Sequence, residues 1–217
     1  MLQLPLTGGL LLLLLLPATA AEPTQLHAPW LSCFDSVGRF TGPKTAQTPL
    51  ITPPDGQHRA YAELRAAVKQ GSAVNCDITA LYVASGHAAM RVILTEGPFD
   101  DIGTGASFGA VAWSHDSRWL IVERLEWTMD SAATDLLLYD ARTGRVTTPD
   151  VMGAVQRSMG KHCVLTYRGV LGFDSRDRIR ISVADYEDDN GRDTFCIKGR
   201  ADWLYDPRRR RAQRVSK

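Results

Sequence analysis

The sequence carries almost no net charge: 25 Lys and Arg stand against 24 Asp and Glu, a formal +1 over 217 residues. A chain so balanced has no overall electrostatic preference for nucleic acid or for an anionic lipid surface. It also lacks an apolar run long enough to cross a bilayer, which takes about 20 residues. The continuous leucine run from Leu10 to Leu16 stops at Pro17. Cysteine is scarce, at four, and none of the four stands in a C-x-x-C. The five histidines, His27, His58, His87, His115 and His162, are scattered without metal-ligand spacing. Zinc is therefore not expected, and no cofactor is indicated.

The short leucine run is informative in its own right. It is followed by Pro17 and by Ala18-Thr19-Ala20, then by a polar segment. A short apolar core ending in A-x-A predicts a secretory signal peptide over residues 1–20, with cleavage after Ala20. The stretch before the leucines has no Lys or Arg, so its positive charge comes from the amino terminus. The mature chain is expected to be exported, to the periplasm or beyond the cell, without a transmembrane segment. Export changes the reading of Cys33, Cys76, Cys163 and Cys196. An even number of cysteines in an oxidising compartment predicts disulfides. The preferred pairing is Cys33–Cys76 and Cys163–Cys196, because each pair brackets one of the turn aspartates described next.

Asp55, Asp116 and Asp177 lie 61 residues apart, each after a short apolar run and before a strand-like stretch. A later signature recurs with looser spacing: Ala80-Leu81-Tyr82-Val83, Leu137-Leu138-Tyr139-Asp140 and Trp203-Leu204-Tyr205-Asp206. A fixed start and a drifting middle suit strands joined by hairpin loops, which absorb insertions cheaply. The second unit is the clearest. Ala110 to Trp113, Trp119 to Val122, Asp135 to Tyr139 and Arg145 to Thr148 read as four short strands with Asp, Ser and Gly in the turns. The three aspartates are expected to be structural turn residues, accepting backbone amides.

Trp113-Ser114-His115-Asp116-Ser117-Arg118-Trp119-Leu120 and Asp135-Leu136-Leu137-Leu138-Tyr139-Asp140-Ala141-Arg142-Thr143-Gly144 resemble a blade of TolB-like or WD-type β-propellers. Such blades join their first two strands through W-S-P-D-G-R-W and their last two through L-Y-D-x-x-T-G. Here His115 stands at the proline of that pattern and Ser117 at its glycine. The first unit keeps Pro54-Asp55-Gly56, and the third keeps only Asp177. The resemblance implies an all-β fold of antiparallel, propeller-like blades over residues 46–217, with repeats near 46–106, 107–160 and 161–217. Residues 21–45 form an N-terminal segment or partial blade. Three units are fewer than a closed propeller needs. A divergent fourth blade, an open three-sheet array and association of two chains all remain open.

One segment departs from the strand pattern. Val151, Ala154, Val155 and Met159 fall at helical spacing after Asp150 as a cap, and Gly160 can end the turn. Residues 60–70 favour helix by composition, but the repeat places a strand over Ala60 to Leu64. Pro43, Pro49, Pro53 and Pro54 mark an entry linker.

Few residues read as chemistry. Gly105-Ala106-Ser107-Phe108-Gly109 spells G-x-S-x-G, yet the nucleophile elbow needs a preceding strand and a following helix, the inverse of this context. The acidic stretch from Asp185 to Asp193 fails the register of a calcium loop and reads as a hairpin around Asn190-Gly191. The basic residues Arg208 to Arg211, Arg214 and Lys217 are not interleaved with aromatics, so nucleic-acid stacking has no support. The expectation is an exported, non-catalytic binding or scaffold protein whose partner is an unidentified protein or envelope component. The alternative is a hydrolase-type enzyme whose site assembles from the loops of different blades.

Overall fold

The computed structural model describes residues 45–68, 74–99, 104–128, 131–160, 162–186 and 196–215. Strands dominate, in three four-stranded antiparallel sheets. The first contains β1 (Thr45–Gln47), β2 (His58–Val68), β3 (Val74–Ser85) and β4 (Arg91–Glu96). The second contains β5 (Gly105–Trp113), β6 (Trp119–Trp127), β7 (Ala132–Asp140) and β8 (Arg145–Thr147). A single helix among the described residues, α1 (Val151–Met159), leads to the third. That sheet holds β9 (Leu165–Phe173), β10 (Ile179–Asp185), β11 (Arg200–Asp206) and β12 (Arg211–Arg214). In every sheet, neighbours in space are neighbours in sequence, so each is an antiparallel meander. The fold is all-β and blade-like.

The middle sheet is apolar on both faces, which explains its unbroken runs. Side chains alternate across a strand, so Trp119-Leu120-Ile121-Val122 and Leu136-Leu137-Leu138-Tyr139 serve two cores at once. Leu120, Val122, Leu137 and Tyr139 pack with Ala60, Ala62, Leu81 and Val83 of the first sheet. Ile121, Leu136 and Leu138 pack with Val170, Ile179, Ile181, Trp203 and Tyr205 of the third. Each large side chain fully buried this way contributes roughly 1.5–3 kcal/mol.

Proline shapes the first strand. The stretch read as an entry linker supplies β1, and pairing with β2 resumes after Pro49, where Ile51 and Ala60 exchange backbone hydrogen bonds of 2.9 Å. Between these points the Thr48 hydroxyl accepts the Ala62 amide at 2.9 Å. The helix-favouring composition of residues 60–70 is overridden, because Ala60, Ala62 and Leu64 bury one face of β2.

Helix α1 begins where its sequence dictates. The Asp150 carboxylate accepts the Gly153 amide at 3.0 Å, and Gly160 ends the helix at φ 65°, a left-handed conformation that glycine adopts without steric cost. Val151, Ala154 and Val155 are buried against the third sheet. Gln156 then clasps the next segment. Its Oε1 accepts the Cys163 amide at 3.1 Å, and its Nε2 donates to the Cys163 carbonyl.

Cys163 and Cys196 form a disulfide closing 33 residues. In the chain-entropy account a loop of that length is worth about 4 kcal/mol. The expected Cys33–Cys76 bridge lies outside the described residues, as do the signal segment 1–20, the N-terminal segment 21–44 and the hairpin around Asn190-Gly191. Among the described residues no helix is long and apolar enough to cross a membrane.

Candidate functional site

The turns between first and second strands lie along one rim, and hydrogen bonds link each to the next. All three share one backbone pattern. Gly56 donates to the Pro53 carbonyl, Ser117 to Ser114, and Asp177 to Asp174, each at 3.0 Å. The donating residue has positive φ in every case: 67° at Gly56, 58° at Ser117 and 56° at Asp177. Asp177 is therefore the counterpart of Gly56 and Ser117, whereas Asp55 and Asp116 correspond to Arg176. The even spacing of the three aspartates spans two different turn positions. Asp tolerates the left-handed region better than most side chains, which lets it occupy a glycine site.

The polar side chains at those glycine positions reach back to the preceding turn. Ser117 Oγ accepts the Asp55 amide at 3.2 Å, and Asp177 Oδ1 accepts the His115 amide at 2.6 Å. Both contacts span 62 residues. Asp116 extends the linkage to the third sheet through an ion pair with Arg208.

The remaining turn carboxylates hold their own loops. Asp55 accepts the Gln57 amide, Asp116 that of Arg118, Asp174 that of Arg176 and Asp206 that of Arg208, all two residues on. At the same end of the middle sheet, where β7 finishes beside the start of β6, Asp140 accepts the Arg142 amide and a two-pronged contact from Arg118, at 3.3 and 2.9 Å. The Arg118 guanidinium also lies 4.3 Å from the centre of the Trp119 ring. Partial burial opposes ionisation of Asp116, Asp140 and Asp174. Their arginine partners and donated hydrogen bonds outweigh it and hold all three below the usual carboxylate range.

Asp185 organises the region of the disulfide. Its carboxylate accepts the amides of Cys196, Ile197, Lys198 and Gly199 at 2.8 to 3.4 Å. Burial again raises its pKa, and the four amides more than reverse that. Between the second and third sheets the buried Glu123 accepts the Tyr167 hydroxyl at 2.6 Å and the Val170 amide at 2.9 Å. Gly169, at φ 128°, sits at the bulge that aims Val170 there. Burial, then the neighbouring carboxylate charge, pushes the Tyr167 phenol far up.

The residues that resemble reactive motifs are placed for other ends. Ser107 is fully buried in mid-strand β5, without the exposed elbow that a nucleophile needs. Trp127 lies flat against its cross-strand partner Gly105, whose missing side chain makes the room. His115 Nδ1 lies 3.2 Å from Asp177 Oδ1, with the imidazole 61% exposed. Among the described residues no group of three His, Cys, Asp or Glu is placed to hold a metal ion.

Sequence reasoning singled out Asp55, Asp116 and Asp177 but gave no role to Asp140, Asp174, Asp185 or Glu123. Asp140 was legible, because it ends the L-Y-D stretch before Thr143-Gly144. Glu123 was not: nothing in its strand shows that a tyrosine 44 residues on would share its space. No protein-family model matches the chain, and no curated protein matches it either.

Proposed function

We propose that this is an exported, non-catalytic binding or scaffold protein related to TolB-like or WD-type propeller repeats. One observation carries the non-catalytic reading. The carboxylates of the rim and of the loop ends accept backbone amides or arginines, and for Asp116, Asp140 and Asp174 these partners favour the ionised form, which is no proton donor for acid–base chemistry. The three consecutive meanders, and the L-Y-D turn built on Asp140, favour the kinship. Export is favoured by the Cys163–Cys196 disulfide, a bond that persists in oxidising compartments. The leucine run and Ala18-Thr19-Ala20 point the same way.

A second reading rests on the His115–Asp177 pair, since an imidazole oriented by a carboxylate is half of many hydrolytic sites. Against it, Asp177 Oδ1 already accepts the His115 amide, and neither residue lines the clefts of the third sheet. The experiment is a turnover assay on the mature chain with chromogenic esters, phosphoesters and glycosides, beside His115→Gln. Equal, background rates in both proteins are expected. A rate present in the parent and lost in the variant overturns the binding reading in favour of the hydrolase.

A further inference from the structure

The basic run near the C-terminus, which sequence alone reads as a solvated edge, builds a cleft with the β9–β10 turn. On the third sheet a concavity of about 520 Å³ is lined by Arg176, Arg178, Arg208, Arg209 and Arg211, with Asp206 as the sole acid among the described residues. Two of these guanidiniums are occupied, Arg178 by Asp174 at 2.6 Å and Arg208 by Asp116. Arg209 reaches Asp206 only at 3.8 Å and is 81% exposed. The exposed guanidiniums of Arg176 and Arg211 make no ion pair with any described residue. A molecule close to neutral overall thus concentrates uncompensated positive charge in one hollow.

We propose that this cleft binds a short, extended, Asp- or Glu-rich segment of a partner protein, an assignment that rests on the binding-module reading above. Charge complementarity selects an anion, and the planar guanidinium fork fits a carboxylate with two parallel hydrogen bonds. The neighbouring arginines already hold carboxylates through two nitrogens each, Arg178 on Asp174 Oδ2 and Arg180 on Asp202 Oδ2. The excess charge is modest and interrupted by Asp206, which suits a ligand with a few spaced carboxylates better than a dense polyelectrolyte. Among the described residues no aromatic lines the hollow, so unstacked bases find no platform there. Its apolar lining among the described residues is Leu204 and Ala212, which gives a lipid surface little to bury against.

The test is fluorescence anisotropy with a labelled peptide of alternating Asp and Gly, against the mature protein and two charge-matched double variants. Arg176→Gln/Arg211→Gln removes the unpaired guanidiniums, and Arg91→Gln/Arg142→Gln removes equal charge from the other two sheets. Expected is binding that weakens as salt rises from about 0.05 to 0.5 M. The first pair should lose about tenfold in affinity, and the second should stay within about twofold. Thermal unfolding is followed in parallel. If the first pair unfolds, the exposed Arg209→Gln variant reads the same loss. Equal loss in both double variants overturns the proposal, as does binding no stronger than to a Ser-Gly peptide. A sulfated oligosaccharide or phosphatidylglycerol vesicles bound more tightly than the peptide would also overturn it, reassigning the cleft to that class. None of these failures affects the non-catalytic reading, which the turnover assay tests alone.

Discussion

The backbone amide of His115 donates to the Asp177 carboxylate at 2.6 Å, joining the turn of the second sheet to that of the third. The pattern that this turn resembles has proline at the His115 position, and proline has no amide hydrogen to give. The same pattern has glycine at Ser117, yet it is the Ser117 hydroxyl that accepts the Asp55 amide. Both departures from the repeat signature are therefore the residues that tie successive turns together. They bring a cost, since Ser117 and Asp177 hold positive φ without being glycine.

Asp177→Ala is expected to lower stability by about 2 kcal/mol, from a charge-assisted bond lost and a left-handed alanine left behind. Asp177→Gly loses the bond but relieves the backbone, so its loss should be smaller. Urea unfolding of the two variants separates the terms. Equal losses would show that the link to His115 contributes all of the effect.

His115→Pro restores the repeat signature and should nevertheless destabilise, by about 1 kcal/mol, because it deletes the donor to Asp177. Ser117→Gly, restoring the same signature two residues on, should be close to neutral as relief of strain offsets the lost acceptor. Thermal melts decide both. A stabilised His115→Pro would mean that the turns gain nothing from being joined.

How much of this was legible follows a physical line. Strand order, the helix with its Asp150 cap and the Cys163–Cys196 bridge rest on local patterns of spacing, capping and cysteine count. The rim linkage does not, because it depends on which atoms of two turns meet across 62 residues. Counting identical letters aligned Asp177 with Asp116, whereas the backbone aligns it with Ser117. A letter reports a side chain, but a turn position is defined by φ. The arginine cleft was hidden for a related reason, as Arg176 and Arg211 become neighbours only through the pairing of β10 with β11 and of β11 with β12.

Acid should unfold the protein through its depressed carboxylates. Asp116, Asp140, Asp174 and Asp185 all have folded pKa values below the ordinary one. Their stabilisation is complete above the unfolded carboxylate pKa of about 3.9 and is lost as pH falls through the lower folded values. The melting temperature should drop steeply below about pH 4. In Asp185→Asn it should start lower and fall less steeply over the same interval, because that group no longer titrates. An unchanged slope would show that Asp185 ionises alike in both states.

Gly105→Ala places a methyl group into the Trp127 indole. The loss expected is about 1–3 kcal/mol, as for other overpacked sites. Gly105→Ala combined with Trp127→Ser should recover part of it. Denaturant unfolding of the single and double variants gives the coupling, and simple additivity would mean that the two residues do not share the space.

The two-faced middle sheet limits how this architecture can lengthen or shorten over evolution. A copy of the first or last repeat inserted internally would bring a face built for an end, with Glu63 or the Arg180–Asp202 pair on it, against an apolar neighbour. The stretch from β5 to β8 is the better unit to duplicate in tandem, since its two surfaces are each made to be covered, although a copied Glu123 would need a donor like Tyr167 opposite it. Deleting this stretch would press two end units together through surfaces shaped for a third. Gene duplication in such a chain therefore has one favoured register, and internal expansion should begin there.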